Sequence, residues 1–158
     1  MTISFSVSRV KDVMTPDPVL VKPDETLQEA AKKMATIDCG VLPVGTKNAI
    51  QGIITDRDIV IRAIAHGKNP ANEKVAKYIT KTTYDCHEDD NLEEAARIMH
   101  DRKVGRLLVR NKQGDISGIL SFGCILRNDA SPQEIAEIIR HSAGPVSVYK
   151  KVKRNAKV

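Results

Sequence analysis

The sequence has no tryptophan and only three Tyr and two Phe in 158 residues. So few aromatics exclude a platform on which nucleic-acid bases stack in series. Cysteine is scarce too. Cys39, Cys86 and Cys124 form no CxxC pair, which excludes a disulfide framework and points to a reducing, cytoplasmic setting. No run approaches the roughly 18 apolar residues of a membrane helix, and the first residues lack the basic start and apolar stretch of a secretory signal. There is no GxSxG, HExxH or Walker loop, and His66, His87, His100 and His141 are scattered. No catalytic role is read for any of them, and the chain is expected not to be an enzyme.

Acid excess is also missing. Lys plus Arg number 25 against 20 Asp plus Glu, a net charge of +5. Residues 150–158, KKVKRNAKV, carry five bases and no acid, so the rest of the chain is neutral. The basicity belongs to a tail, and nucleic acid is an unlikely partner except through that tail.

What is present is a repeat. Residues 10–51 align with 75–116 at an offset of 65, and 52–60 with 118–126 at an offset of 66. Fifteen of 51 pairs are identical. They cluster at turn, cap and core positions: Thr15 and Thr80, Leu27 and Leu92, Glu29-Ala30-Ala31 and Glu94-Ala95-Ala96, Met34 and Met99, Gly40 and Gly105, Gly52-Ile53 and Gly118-Ile119. Thr26-Leu-Gln-Glu29 and Asn91-Leu-Glu-Glu94 read as capped helix starts. Leu27, Ala30, Ala31 and Met34 then follow at helical spacing, as do Leu92, Ala95, Ala96 and Met99. Val41-Leu42-Pro43-Val44 and Gly52-Ile53-Ile54 flank a polar turn and read as a hairpin, matched by 107–109 and 118–120. Second helices are expected from Asp58 to His66, stopped by Gly67, and from about Cys124 to Asn128. Short strands are expected at 19–21 and 84–86, and a further helix over 131–143.

The fold class expected is therefore mixed α/β (α+β). Two β-α-β-β-α units, 8–67 and 73–129, pack sheet to sheet around one shared core as a pseudo-two-fold pair, with a C-terminal helix and basic tail at 131–158. A unit of that size buries little core alone.

The ordered set Val10-Lys-Asp-Val-Met-Thr15, Cys39-Gly-Val-Leu-Pro-Val44 and Gly52-Ile-Ile-Thr-Asp-Arg-Asp-Ile59, answered by Val104-Gly-Arg-Leu-Leu-Val109 and Gly118-Ile-Leu-Ser121, resembles a tandem pair of cystathionine-beta-synthase (CBS) domains, the arrangement called a Bateman module. The resemblance covers about residues 8–129. It implies a regulatory module that binds an adenosine-containing ligand (AMP, ADP, ATP or S-adenosylmethionine), needs no other cofactor, and pairs into a homodimer. No effector domain is read in the chain, so an effector protein is expected as partner.

Thr55-Asp56-Arg57-Asp58 lies where a strand meets a helix, a place that favours phosphate. Thr55 offers a hydroxyl, Arg57 a fork of donors, and Asp58 an acceptor pair for a ribose diol. The same Thr-x-x-Asp is also a capping box and needs no ligand for that. The second copy has Ser121-Phe-Gly-Cys124 at this place, so the fold does not need the acid. The resemblance implies a first pocket of Ile53, Thr55, Arg57 and Asp58 with Thr82, Thr83, Tyr84, Val104, Gly105 and Arg106. Arg106 is suited to phosphate and Tyr84 to an adenine face. A second pocket would join Ile119 and Ser121 to Thr15, Pro16, Val19, Cys39, Gly40 and Val41. It is expected to be weak or empty, because Cys124 replaces the acid and a thiol is a poor diol acceptor. Two alternatives stand beside this reading. One is a metal- or thiol-dependent stress protein using Cys39 and Cys124. The other is a basic-tailed adaptor for acidic polymer.

Overall fold

Thr26 opens the first long helix. Its hydroxyl accepts the Glu29 amide at 3.1 Å, and the Glu29 carboxylate accepts the Thr26 amide at 2.7 Å, so two otherwise orphaned N–H groups are satisfied. The computed structural model describes residues 9–127; the expected helix over 131–143 and the basic tail lie outside them. Helix α1 is Val10–Val13 and α2 is Leu27–Ile37, with Leu27, Ala30 and Met34 buried on one face. Hairpin β2 (Val41–Thr46) and β3 (Ala49–Thr55) follows. Next comes α3 (Asp56–Asp58), which continues as a π turn over Ile59–Ala63 and a 3-10 turn over Ile64–His66. Gly67, at φ 68°, ends it as the sequence predicts.

The second copy repeats the plan. A 3-10 turn at Val75–Lys77 leads to β4 (Asp85–His87), then α4 (Leu92–Arg102), capped by Asn91. Strands β5 (Arg106–Arg110) and β6 (Ile116–Ser121) and helix α5 (Phe122–Arg127) complete it. The strand expected over 19–21 shrinks to one parallel bridge, Val21 to Val44. Pro18 and Pro23 bracket it and cannot donate to a ladder.

The two copies exchange their leading segments. Strand β1 (Thr15–Pro16) pairs antiparallel with β6, Thr15 opposite Ile119. At the equivalent place Thr80 bridges Ile53 of β3. Both sheets therefore have one order: exchanged segment, second hairpin strand, first hairpin strand, parallel edge. The turn helices cross too. The Val10 and Lys11 amides donate to Asp90 and Glu88 carbonyls, and those of Val75 and Ala76 to Glu25 and Pro23.

The single shared core expected from the sequence is corrected to three clusters. The first repeat's cluster holds Leu27, Ala30, Leu42, Val44, Ile54 and Ile59, together with Val75 from the second copy's leading segment. The second repeat's cluster holds Leu92, Met99, Leu107, Val109, Leu120 and Ile125, together with Val10 and Val13 from the first. Between them lies a small cluster of Val41, Leu108, Ile116 and Ile119. The split follows strand alternation. Leu42 and Val44 face their own helices while Val41 faces the other repeat; Leu107 and Val109 do likewise while Leu108 faces across.

Candidate functional site

Where the two sheets meet, a cleft of about 210 Å³ opens. Its apolar floor comes from both repeats: Val41, Ile53, Leu107, Leu108 and Ile119. Thr80, Thr82, Thr83 and Arg106 are its polar lining residues, and Tyr84, Val104 and Gly105 complete the wall. An apolar slot with a few polar groups is the usual make-up of a small-molecule site.

Seven residues of the expected first pocket line this cleft: Ile53, Thr82, Thr83, Tyr84, Val104, Gly105 and Arg106. Thr55, Arg57 and Asp58 do not line it. They follow Ile53 along β3 into α3, and their side chains are engaged locally. The Thr55 hydroxyl donates to Asp58 Oδ2 at 2.8 Å, the Thr55 amide donates to the same oxygen at 3.0 Å, and the Asp58 amide donates back to Thr55 Oγ1 at 3.0 Å. This is the capping box. Asp58 Oδ1 faces Arg62 Nη1 at 3.4 Å. The two bonds from Thr55 fill Oδ2, so the acceptor capacity this carboxylate keeps is on Oδ1. Arg57 is exposed, and its amide donates to Asp56 Oδ1.

Two residues expected in the second pocket, Val41 and Ile119, line this cleft. Both belong to the small cluster between the repeats. Thr80, Leu107 and Leu108 were missed by sequence reasoning. Thr80 was legible: it is the repeat equivalent of Thr15, which is read as a second-pocket residue.

Of the remaining second-pocket residues, the structure brings Thr15 and Ser121 together on Cys124. Their hydroxyl oxygens lie 3.5 and 3.2 Å from its Sγ, and the Cys124 amide donates to Ser121 Oγ at 3.2 Å. Ser121-x-x-Cys124 thus caps α5 as Thr55-x-x-Asp58 caps α3. Burial raises the Cys124 thiol, but bonds from Ser121 and Thr15 and the Arg127 charge outweigh it and leave it below its ordinary value. Gly40 packs against the Asp56 carboxyl, while Pro16 is exposed and Val19 half-buried. Cys39 is half-buried, and its thiol donates to the Val41 carbonyl. Cys39 and Cys124 fall in different clusters. Cys86 is buried among apolar side chains, and burial first, then Asp90 and Asp85, push its thiol up to about 12. Among the described residues no three His, Cys, Asp or Glu are grouped to hold a metal ion, and no helix is long and apolar enough to cross a membrane.

Comparison with known proteins places the architecture. The CBS domain family model matches residues 10–64 and 75–131. The CBS domain-containing protein YhcV of Bacillus subtilis (strain 168) is 31% identical over 125 residues, 79% of this chain and 88% of that one. The crystal structure of Hypoxic Response Protein I with two coordinated zinc ions is similar at TM-score 0.67 and 28% identity, covering 78% of this chain and all of that one. The crystal structure of CBSX2 in complex with AMP is similar at TM-score 0.62 and 26% identity, covering 75% and 93%.

Proposed function

The chain belongs to the CBS domain family, as a tandem pair, and from that premise we propose that it is a non-catalytic regulatory module whose inter-repeat cleft takes one adenosine-containing ligand: AMP, ADP, ATP or S-adenosylmethionine. The single observation that supports this reading is the cleft itself. It has an apolar floor drawn from both repeats, and Thr80, Thr82, Thr83 and Arg106 among its lining residues. A flat base fits the floor, and Arg106 suits a phosphate. Asp58 would take the ribose diol through the acceptor capacity its cap leaves. The AMP-bound structure of CBSX2 is consistent with this class of ligand.

A ligand seated there touches both repeats, so its binding favours one packing of the pair. That becomes a signal where a partner protein reads the two packings differently. The face for pairing with a second copy is the helical stretch that begins at Asp56. Val60, Ile61 and Ile64 are 51, 48 and 50% exposed on it, an apolar patch of the kind that marks an interface. Sedimentation at micromolar concentration is expected to report a dimer, and Ile61→Glu a monomer. A wild-type monomer would remove pairing from the proposal.

The alternative that uses Cys39 and Cys124 has the two zinc ions of the similar Hypoxic Response Protein I structure in its favour. The separation of those two cysteines into different clusters counts against it. Calorimetric titration decides. Saturable binding of at least one of AMP, ADP, ATP or S-adenosylmethionine, near one per chain, is expected. Silence from all four with stoichiometric zinc uptake would replace the nucleotide reading by the metal one.

A further inference from the structure

Among the described residues Tyr84 is the one aromatic side chain in the cleft wall, and its ring is not left to itself. The Arg102 guanidinium carbon lies 5.2 Å from the ring centroid, within the range of a cation–π contact. Arg102 is the last residue of α4 and is not among the residues that line the cleft, so it meets the ring from outside. Among the described residues Arg102 takes part in no ion pair, and it meets the Tyr84 ring. The Tyr84 backbone is fixed as well, its carbonyl accepting the Leu108 amide at 3.0 Å.

The repeat supplies an internal control. At the offset of 65, Arg102 and Tyr84 correspond to Ile37 and Val19. Both copies form the same helix and the same strand order with and without the pair. The fold therefore does not require it. The pair occurs in the copy that contributes Tyr84, Gly105 and Arg106 to the cleft. In the other copy the equivalent of Arg106 is Val41, and the equivalent of Asp58 on the facing side is Cys124.

We infer that Arg102 is a positioning residue for the cleft: its guanidinium holds the Tyr84 ring in one orientation, as a preset wall for a flat aromatic base. The inference rests on the adenosine reading above. A ring ordered before binding loses less side-chain freedom when the base arrives, so the contact raises affinity without touching the ligand. It acts on the base and not on the phosphate, and this separates it from a long-range charge effect.

The test is titration of adenosine and AMP into the wild type, Arg102→Ala, Tyr84→Leu and the double variant, with thermal unfolding of each. Arg102→Ala is expected to weaken adenosine and AMP by the same factor, about two- to five-fold, with an unfolding midpoint close to the wild type. In the Tyr84→Leu background, Arg102→Ala is expected to add nothing. A loss confined to AMP would mean that Arg102 acts on phosphate as a charge and would overturn the inference, as would an equal loss in the Tyr84→Leu background. Wild-type affinity in Arg102→Ala would also overturn it while leaving the adenosine reading intact. If the wild type bound neither compound, the adenosine reading would fail first and the inference with it.

Discussion

Gly52→Ala is expected to destabilise the chain by about 3 kcal/mol or more, a large part of the 5–15 kcal/mol that holds a typical domain folded. A Cβ on Gly52 would stand 2.3 Å from Ile79 Cγ2 and 2.4 Å from the Thr80 carbonyl oxygen. The side chain can turn away, but the carbonyl cannot. Thr80 is held by a reciprocal pair of bonds, its amide to the Ile53 carbonyl at 2.8 Å and the Ile53 amide to its carbonyl at 3.0 Å. Making room means giving up both, at about 1 kcal/mol each. The alanine would also sit at φ +154°, outside the usual range for a side-chain-bearing residue.

Two other glycines calibrate the result. Gly118 is the repeat equivalent, and its Cβ would meet Met14 Sδ at 2.4 Å and the Thr15 carbonyl at 2.9 Å. A thioether moves more readily than backbone, so Gly118→Ala is expected to cost less than Gly52→Ala. Gly67 has a left-handed φ of 68° and nothing within 4 Å, so Gly67→Ala is expected to cost about 1 kcal/mol. Denaturant unfolding of the three variants checks the order. A Gly52→Ala midpoint no lower than that of Gly67→Ala would mean that the exchanged segment does not lie against β3 as described.

Asp58→Asn is expected to weaken binding of the adenosine ligand by about ten-fold or more while leaving stability nearly unchanged. The separation comes from the two duties of the carboxylate. As the third residue of α3 it accepts the Thr55 amide and hydroxyl on Oδ2, and an amide oxygen can accept the same two bonds. As ribose acceptor it depends on charge, because hydrogen bonds to a charged group contribute about 1.5–3 kcal/mol, which is roughly 10- to 150-fold in affinity. Asp58→Ala removes both duties. It is expected to lose binding to the same degree and to lower stability by about 1 kcal/mol through the cap. Cys124→Ala, at the equivalent place in the second repeat, is expected to leave binding unchanged. If Asp58→Asn bound like the wild type, Asp58 would be a helix cap and nothing more.

The two variants fall on opposite sides of what the sequence contains. Duplication, helix starts and hairpins were legible because they rest on local chemistry. Thr26 and Glu29 sit three residues apart and cap whatever helix follows, Leu27 to Met34 recur at helical spacing, and Gly67 stops the helix where a left-handed residue is needed. The family was legible for the same reason, since its motifs are those local signals in a fixed order. Seven of the residues expected in the first pocket line the cleft, and they were legible because they flank the motifs.

The exchange of leading segments is not a local matter. Nothing in Val10 to Pro16 says whether its strand pairs with its own hairpin or with the other one. Only tertiary packing decided that β1 lies on β6, that Val75 enters the first repeat's core, and that Gly52 must be bare so that Thr80 can approach. The same packing gave Val41 and Ile119 to the first cleft, because strand alternation aims both at the junction of the repeats. It also placed Arg102, eighteen residues beyond Tyr84, over the Tyr84 ring. A sequence carries spacing along the chain; distances between segments that meet only after folding are set by how the two repeats close on each other.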